Sequence, residues 1–470
     1  MSVVPTDAQA AHAAGVERLV ASYRAIPATA TVRLAKPTSN LFRARAKNTA
    51  PGLDTSGLTD VIGVDPLART ADVAGMCTYE DLVAATLPYG LSPLVVPQLK
   101  TITLGGAVSG LGIESASFRN GLPHESVVEM DVLTGTGEVL TVSPERHADL
   151  FRSFPNSYGT LGYSVRLRIE LEPVKPFVAL RHLRFRSLPA LVAAIERICE
   201  TGGLDGVPVD YLDGVVFSAD ESYLCAGFKT ATPGPVSDYT GQKIYYRSLQ
   251  HDGGDGAAKD DRLTIHDYLW RWDTDWFWCS RAFGAQNPRL RRLWPRRYRR
   301  SSFYWKLIGY DQRFGIADRI EKRSLRASGA PLRERVVQDV EVPLERCAEF
   351  LDWFLATVPI EPLWLCPLRL RSSVDSSQGW PLYPLRPHHT YVNVGFWSSV
   401  PAQDTAGATN RRIETKVSQL DGHKSLYSDA YYSIDEFDEL YGGETYKTVK
   451  KTYDPDSRLL DLYAKAVRRK

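Results

Sequence analysis

The chain has 470 residues, 43% of them hydrophobic and 24% charged, a composition that excludes a disordered protein and predicts two or three folded domains. Its 57 basic and 55 acidic residues nearly cancel, and the absence of any continuous apolar run of about 18 residues excludes a membrane-spanning helix. Six cysteines, at 77, 199, 225, 279, 347 and 366, stand without CxxC pairs or regular spacing, against a disulfide framework and against a zinc site.

The opening MSVVPTDAQAAHAAGVERLV lacks the charged start and apolar stretch of a signal peptide, which predicts a reduced, cytoplasmic setting. Val16, Leu19, Val20 and Tyr23 recur at i, i+3, i+4 and i+7 and predict a short amphipathic helix. Strands are expected over 31–34 and 61–64, with the polar turn Lys36 to Asn40 between them. A helix follows from Tyr79 to Leu87, ended by Pro88 and Gly90. Residues 101–121 read as a long Gly- and Ser-rich loop that opens no obvious helix. A hairpin turning at Thr134-Gly135-Thr136-Gly137 is expected over 126–142. Glu145 to Arg152 reads as a helix and Gly162 to Glu172 as a strand closing at Pro173.

The composition then shifts. A strand is expected over 178–186 and a helix from Leu188 to Cys199, with Leu191, Val192, Ile195 and Ile198 on one face. HDGGDGAAKDDR (251–262) reads as a polar, flexible loop. A Trp-rich segment, 269–278, precedes a basic one, 281–306, and strands are expected again at 336–342, 363–370 and 391–397. From Asn410 onward the chain reads as helical. The fold class that results is α+β, divided as 1–177, 178–410 and 411–470.

TITLGGAVSGLGIESASFRNG (101–121) carries the strongest chemical signal. Its glycines let backbone amides approach a ligand and form an anion-binding nest, and its hydroxyls can complete a phosphate shell. Its length and near-absence of charge, Glu114 and Arg119 alone, favour a buried wrap around a cofactor. The spacing is not GxGxxG, so a Rossmann nicotinamide site is not indicated. The turn TGTGE (134–138) sits between strands and is a hairpin tip. Gly159-Thr160-Leu161-Gly162 is a turn before the strand YSVRLRIELEP.

The order of loop, hairpin and turn resembles the flavin domain of the vanillyl-alcohol oxidase superfamily. TLGGAVSGLGIESASFRNGL, SPERHADLF, YGTLGYSVRLRI, EPLWLCPLRL, YVNVGFW and SLYSDAYYSIDEFDELYGG together are similar to the Diminuto/Dwarf family of Δ24-sterol reductases. The resemblance implies a PCMH-type FAD-binding domain over 1–177, a second α+β substrate or cap domain over 178–410, and a C-terminal segment packing back on the first. It implies FAD contacts at Thr38, Ser39 and Asn40. In the glycine-rich segment it implies contacts at Thr101, Thr103, Leu104, Gly105, Gly106, Ser109, Gly110, Gly112, Ile113, Ser115, Ser117, Arg119 and Gly121. The turn and strand would add Gly159, Thr160, Leu161, Gly162 and Val165. Neither Thr38–Arg43 nor 101–121 holds the His or Cys that tethers flavin elsewhere in the superfamily, so the FAD is expected to be non-covalent. His124 is the nearest candidate, with a turn or solvent role preferred.

The implied chemistry is reduction of a C=C bond in a hydrophobic lipid, with NADPH as electron donor. The Arg-rich, anchor-free chain favours the branch that reduces methylene-branched acyl chains of phospholipids, as in tuberculostearic acid synthesis, downstream of a methyltransferase; Δ24-sterol reduction is the alternative. A flavin oxidase or dehydrogenase of a hydroxylated small molecule, and a lipid-binding protein without chemistry, are the competing classes. An unactivated alkene needs a proton with the hydride, and Glu114, Tyr427 and Asp429 are the candidate donors. The segment 281–306 carries nine basic residues, no acidic ones and six aromatics. It reads as an anionic-membrane docking face through Arg291, Arg292, Arg296 and Arg297, on the inner face of the cell membrane. A solvated face is the bland alternative, and no nucleic-acid fold accompanies it. His388-His389 lacks further ligands at metal spacing, so no metal is expected, and Cys366 reads as core.

Overall fold

Val165, Leu167, Ile169 and Leu171 recur at every second position of the strand Tyr163–Pro173 and are all buried, the pattern of a strand with one face on a core. In the computed structural model, which describes residues 7–36, 42–43, 50–314, 332–371, 379–403 and 405–469, this strand is the spine of the first sheet. The order is Val61–Asp65, Thr70–Ala74, Tyr163–Pro173, Val127–Leu133 and Val139–Val142, with Leu91–Pro93 also paired to the spine, all antiparallel. The expected hairpin is present, with Met130 opposite Val142. Helices Tyr79–Thr86 and Leu104–Gly110 bury Leu82, Val83, Leu104 and Val108 with Val73, Met130 and Leu167. The first helix, Asp7–Ala25, seats Leu19 and Tyr23 against Leu53, Leu133 and Val165.

The second sheet has eight antiparallel strands in the order Ala258–Thr264, Phe177–Phe185, Glu221–Thr230, Tyr211–Ser218, Leu363–Arg369, Thr390–Pro401, Arg333–Pro343 and His423–Lys424. Its strands alternate between two cores. Leu212, Val216, Leu224, Leu363, Leu365, Val392 and Val394 pack with helices Leu188–Thr201 and Leu344–Thr357. Tyr211, Val215, Tyr223, Cys225, Trp364, Cys366 and Tyr391 pack with the Trp-rich segment and the first sheet's core. Because both faces are covered, the central strands are apolar throughout rather than half polar.

Three expectations change. Residues 258–262 are not loop but part of the edge strand Ala258–Thr264, paired in register with Phe177–Phe185. The exposed Lys259 and Asp260 that made it read as loop are the charges an edge strand carries. Residue 410 falls inside the helix Ala408–Gln419, which lies on the second sheet, with Asn410 donating from Nδ2 to Glu334 at 2.7 Å. The chain returns to the first domain beyond His423–Lys424: Tyr453 donates to Asp149 at 2.8 Å, Lys450 to the Thr160 carbonyl at 2.7 Å, and Arg458 to the Ala30 carbonyl at 2.8 Å. Finally, the glycine-rich segment is partly helical. Among the described residues no helix is long and apolar enough to cross a membrane.

Candidate active site

Thr103 starts the helix Leu104–Gly110, its Oγ1 accepting from the Gly106 amide at 3.2 Å, so the expectation that the segment opens no helix is wrong. Ser117–Asn120 forms a second short helix. The glycines answer first to packing. A Cβ at Gly105 would lie 2.4 Å from Ser164 Oγ and 2.6 Å from the Gly75 carbonyl oxygen, so glycine is what lets this helix lie against the spine strand. The amides of Leu104 and Gly105 are taken by the carbonyls of Cys77 and Gly75 and cannot serve a ligand. The helix ends at Leu111, a non-glycine residue at φ 64°, a conformation costing roughly 1–3 kcal/mol that clusters at ligand sites. No hydrogen bond joins the amides of Leu111, Gly112 and Ile113 to another group among the described residues.

Those three residues line a cavity of about 640 Å³ between the two sheets, in the range of ligand pockets, about 300–1,000 Å³. Thr101, Thr103, Gly105, Gly106, Ser109 and Gly110 line it too, as do Tyr158, Gly159, Gly162 and Ser164. Arg33, Lys36, Arg43 and Lys465 bring cationic side chains to the wall. The Arg43 guanidinium sits 4.9 Å from the centre of the Tyr158 ring and donates to the Lys465 carbonyl at 3.2 Å. Lys465 Nζ in turn donates to the Tyr158 carbonyl. The second domain contributes a different wall: Trp276, Phe277, Cys279, Trp364, Trp397 and Tyr427, with Asp339 the one carboxylate among the described lining residues. Phe277 and Trp397 are tilted together at 4.7 Å between ring centres.

One end therefore offers unpaired amides and positive charge, and the other an aromatic chamber. That donor set fits an anionic dinucleotide carrying an apolar ring system. Bound there, FAD would be held by Thr101–Ile113, the turn at Gly159–Gly162 and the cationic wall.

Sequence reasoning placed only part of this site. Leu104, Thr160, Leu161 and Val165 are buried behind the wall. Thr38, Ser39 and Asn40 lie outside the described residues. Ser115, Ser117, Arg119 and Gly121 do not reach the cavity. Ser115 Oγ lies 2.9 Å from the Tyr268 hydroxyl, Ser117 Oγ accepts from the Glu114 amide at 3.1 Å, and Arg119 pairs with Glu172 at 2.9 Å. A Cβ at Gly121 would meet Glu125. The chain turns away after Ile113 because Ser115–Asn120 docks on the second domain, where the Leu212 amide donates to the Ser115 carbonyl at 2.7 Å.

Glu114 is a correction of the same kind. It is buried, but against Arg271, whose Nη2 lies 3.2 Å from it and 2.8 Å from Asp213. Burial raises its carboxyl above the ordinary value while Arg271 opposes the rise. It does not line the cavity, and a carboxylate held by a buried guanidinium is no acid for a substrate elsewhere. Asp429 pairs with Arg335 at 3.0 Å and likewise lies off the wall. Tyr427 alone of the three candidates lines the cavity, its hydroxyl accepting from Trp397 Nε1 at 2.9 Å. The residue missed is Asp339, hydrogen-bonded to Tyr427 and to Asn393 Nδ2 at 3.2 Å, its carboxyl pushed up to about 7 by burial.

The basic segment is also divided. Arg291 is buried and paired with Asp275 at 2.6 Å, so it cannot meet a membrane. Arg292, Arg296 and Arg297 are exposed, Arg296 pairing with Asp238 at 3.1 Å. His124 is buried edge-on to Trp380 at 4.4 Å, which lowers its pKa to about 3, and it has no solvent role. Cys366 is core, as expected. Among the described residues no cluster could hold a metal.

Comparison with known proteins agrees with the cavity's first-domain wall. Residues 10–143 match a family described as "FAD binding domain". The chain is 26% identical to a Δ24-sterol reductase of Mus musculus over 423 residues, 87% of this chain and 76% of that protein. It is 24% identical to the Δ24-sterol reductase of Arabidopsis thaliana over 450 residues, covering 88% and 76%. Cytokinin dehydrogenase 2 of Oryza sativa subsp. japonica is 30% identical over 161 residues, 33% of this chain and 28% of that protein. The class is therefore an α+β protein with a PCMH-type FAD-binding domain. Within that class the matches support the family of the Δ24-sterol reductases, which the chain resembles across both domains.

Proposed function

We propose that this protein is a FAD-dependent oxidoreductase that reduces a C=C bond in a lipid, a methylene-branched acyl chain of a phospholipid, with NADPH as electron donor. The observation that carries the reading is the composition of the cavity. Among the described residues its second-domain wall is mostly apolar and aromatic, with one carboxylate, one phenol and the hydroxyls of Ser301 and Ser425, and it carries no cationic side chain to hold an anionic substrate. FAD, when bound, supplies a two-electron hydride step. The aromatic wall excludes water from the alkene, which an uncharged, weakly polar substrate requires. Similarity to sterol reductases extends over both domains, whereas similarity to the cytokinin dehydrogenase is confined to about a third of the chain; this favours alkene reduction over oxidation of a hydroxylated small molecule. Lipid would reach the cavity from an anionic membrane surface on the cytoplasmic side. Leu293, 81% exposed, and Leu290, 49% exposed, project beside Arg289, Arg292 and Arg297, on a segment that leads into the cavity-lining Ser301 and Trp305. A methyltransferase that installs the methylene branch would act upstream.

The test is anaerobic turnover with NADPH of a phospholipid bearing a methylene-branched chain against a Δ24-unsaturated sterol, read by mass spectrometry. Saturation of the branched chain alone supports the proposal. Saturation of the sterol alone establishes the second reading, which the named relatives favour. Saturation of neither under nitrogen, with rapid peroxide formation once air is admitted, would overturn both.

A further inference from the structure

A half-buried carboxyl opening onto an apolar chamber needs an explanation that packing does not give. Asp339 lies on the strand Arg333–Pro343, whose alternate residues Val336, Val340 and Val342 fill the second sheet's other core. Its carboxyl lines the cavity, and a Cβ at Gly395, its neighbour across the ladder, would come within 2.4 Å of its Oδ1. Tyr427, from a different part of the chain, is hydrogen-bonded to it and also lines the cavity. We propose, on the reading that the enzyme reduces an alkene, that Tyr427 and Asp339 form a two-member acid in which Tyr427 delivers the proton to the alkene and Asp339 supplies it.

The hydrogen bonds set the direction. Tyr427 Oη already accepts from Trp397 Nε1 at 2.9 Å. When Asp339 is protonated it no longer takes the phenol's proton, and Tyr427, on the cavity wall, can pass that proton to an alkene in the chamber while the carboxyl replaces it. When Asp339 is ionised the phenol must donate to it, and nothing is aimed at substrate. A phenol alone is too weak to protonate an unactivated alkene, and burial moves Tyr427 well above its ordinary value. In a concerted transfer the conjugate base left behind is the Asp339 carboxylate, which Asn393 Nδ2 is placed to receive at 3.2 Å.

The step balances as follows. The alkene π pair forms a C–H bond at the less substituted carbon with the Tyr427 proton. The Tyr427 oxygen takes the Asp339 proton as its own leaves. The tertiary cation would be quenched by a hydride, with its electron pair, of the kind reduced FAD supplies when bound, and Asp339 regains a proton from solvent after product leaves. The titratable groups facing Asp339 are Tyr427, Tyr158 on the glycine turn, Cys366 on the strand Leu363–Arg369 and Glu341 on its own strand. Glu341 is itself pushed up to about 8 by burial, so it adds little negative charge at neutral pH.

Two readouts test the pair. In wild-type protein with FAD bound but no substrate, one component of the infrared carbonyl band of protonated carboxyls, beside those of Glu341 and Glu125, should grow as pH falls through about 7, be missing in Asp339→Asn, and shift in Tyr427→Phe. In turnover, both variants should retain FAD and its reduction by NADPH, yet lose alkene reduction by about 10²-fold or more, the worth of a general acid. Wild-type activity should fall as pH rises through about 7, since the protonated carboxyl is required. In deuterated solvent, label should enter the less substituted alkene carbon. Tyr427→Phe turning over within a few-fold of wild type, or an infrared band indifferent to Asp339→Asn, overturns the proposal. Failure of wild type to reduce any alkene overturns the functional reading instead, and the infrared titration still reports on the pair.

Discussion

Glu114 is a buried carboxylate and Asp339 a half-buried one, and what surrounds them separates their roles. Glu114 shares Arg271 with Asp213 away from the cavity, whereas Asp339 has only hydrogen-bond partners, Tyr427 and Asn393, and opens onto it. Glu114→Gln should therefore keep FAD and keep alkene reduction within a few-fold, while losing about 1–3 kcal/mol of stability for the damaged network, as read by urea denaturation. A variant that stays stable but loses alkene reduction alone would return Glu114 to the chemistry. Glu114 drew notice in sequence because it is the lone acid in a glycine-rich segment. Asp339 did not, because in VVQDVEV a polar residue reads as the solvent face of an ordinary strand. Only the covering of both faces of the second sheet, a property of the whole fold, turns it onto the cavity instead of the outer surface. Cys279, the one thiol on the described cavity wall, tests the expectation of non-covalent flavin. Acid precipitation should leave the yellow colour in the supernatant; colour in the pellet that Cys279→Ser releases would identify a thioether.

Among the elements, the helix Leu104–Gly110 and the basic segment show how far a local pattern goes. The glycines were legible as a site because small residues in such density serve close approach, but what approaches Gly105 is the chain itself. Gly105→Ala should displace the helix and lower FAD affinity at least tenfold, measured by flavin fluorescence quenching. Gly63→Ala, where a Cβ meets nothing within 4 Å, should leave affinity unchanged. In the basic segment a run of arginines looked uniform, yet one of them pairs with Asp275 in the interior. Replacing Arg292, Arg296 and Arg297 by Gln should weaken binding to anionic vesicles by about 10²-fold at low salt, at about 1 kcal/mol each, with the effect fading as salt rises. Arg291→Gln should instead cost about 3–5 kcal/mol of stability, because it strands a buried carboxylate. Equal binding to anionic and zwitterionic vesicles by all variants would remove the docking face.

For the whole molecule, the class of fold and about half of the strands were legible, because alternation and turn residues are local signals, whereas Thr70–Ala74, Tyr211–Ser218 and Glu221–Thr230 went unread. The site was only half legible, because its second wall comes from segments far apart in sequence: Trp276–Cys279, Asp339, Trp397 and Tyr427. Since both domains line the cavity, FAD should couple them. Scanning calorimetry of holoprotein should show one transition, with removal of FAD lowering it for both domains together. Ligand at a hundred times its dissociation constant contributes about 2.7 kcal/mol. Two transitions, only one of them sensitive to FAD, would mean the second domain does not complete the pocket.

The first-domain wall is itself assembled from the two extremes of the described chain: Val32 and Arg33 line the cavity beside Leu460 and Lys465, and Arg43 donates to the Lys465 carbonyl. On a ribosome these pieces appear in that order, with the entire second domain made between them. The flavin pocket thus cannot close around its cofactor while the first domain is emerging, even though that domain carries most of the wall. Cofactor capture is a late event, gated by release of the segment around Lys465, and until then the emerging first domain must persist without the ligand that would stabilise it. Contacts this distant in sequence are also slow to form, so cells starved of flavin should accumulate this chain as a degradable, half-assembled species rather than as a folded apoprotein.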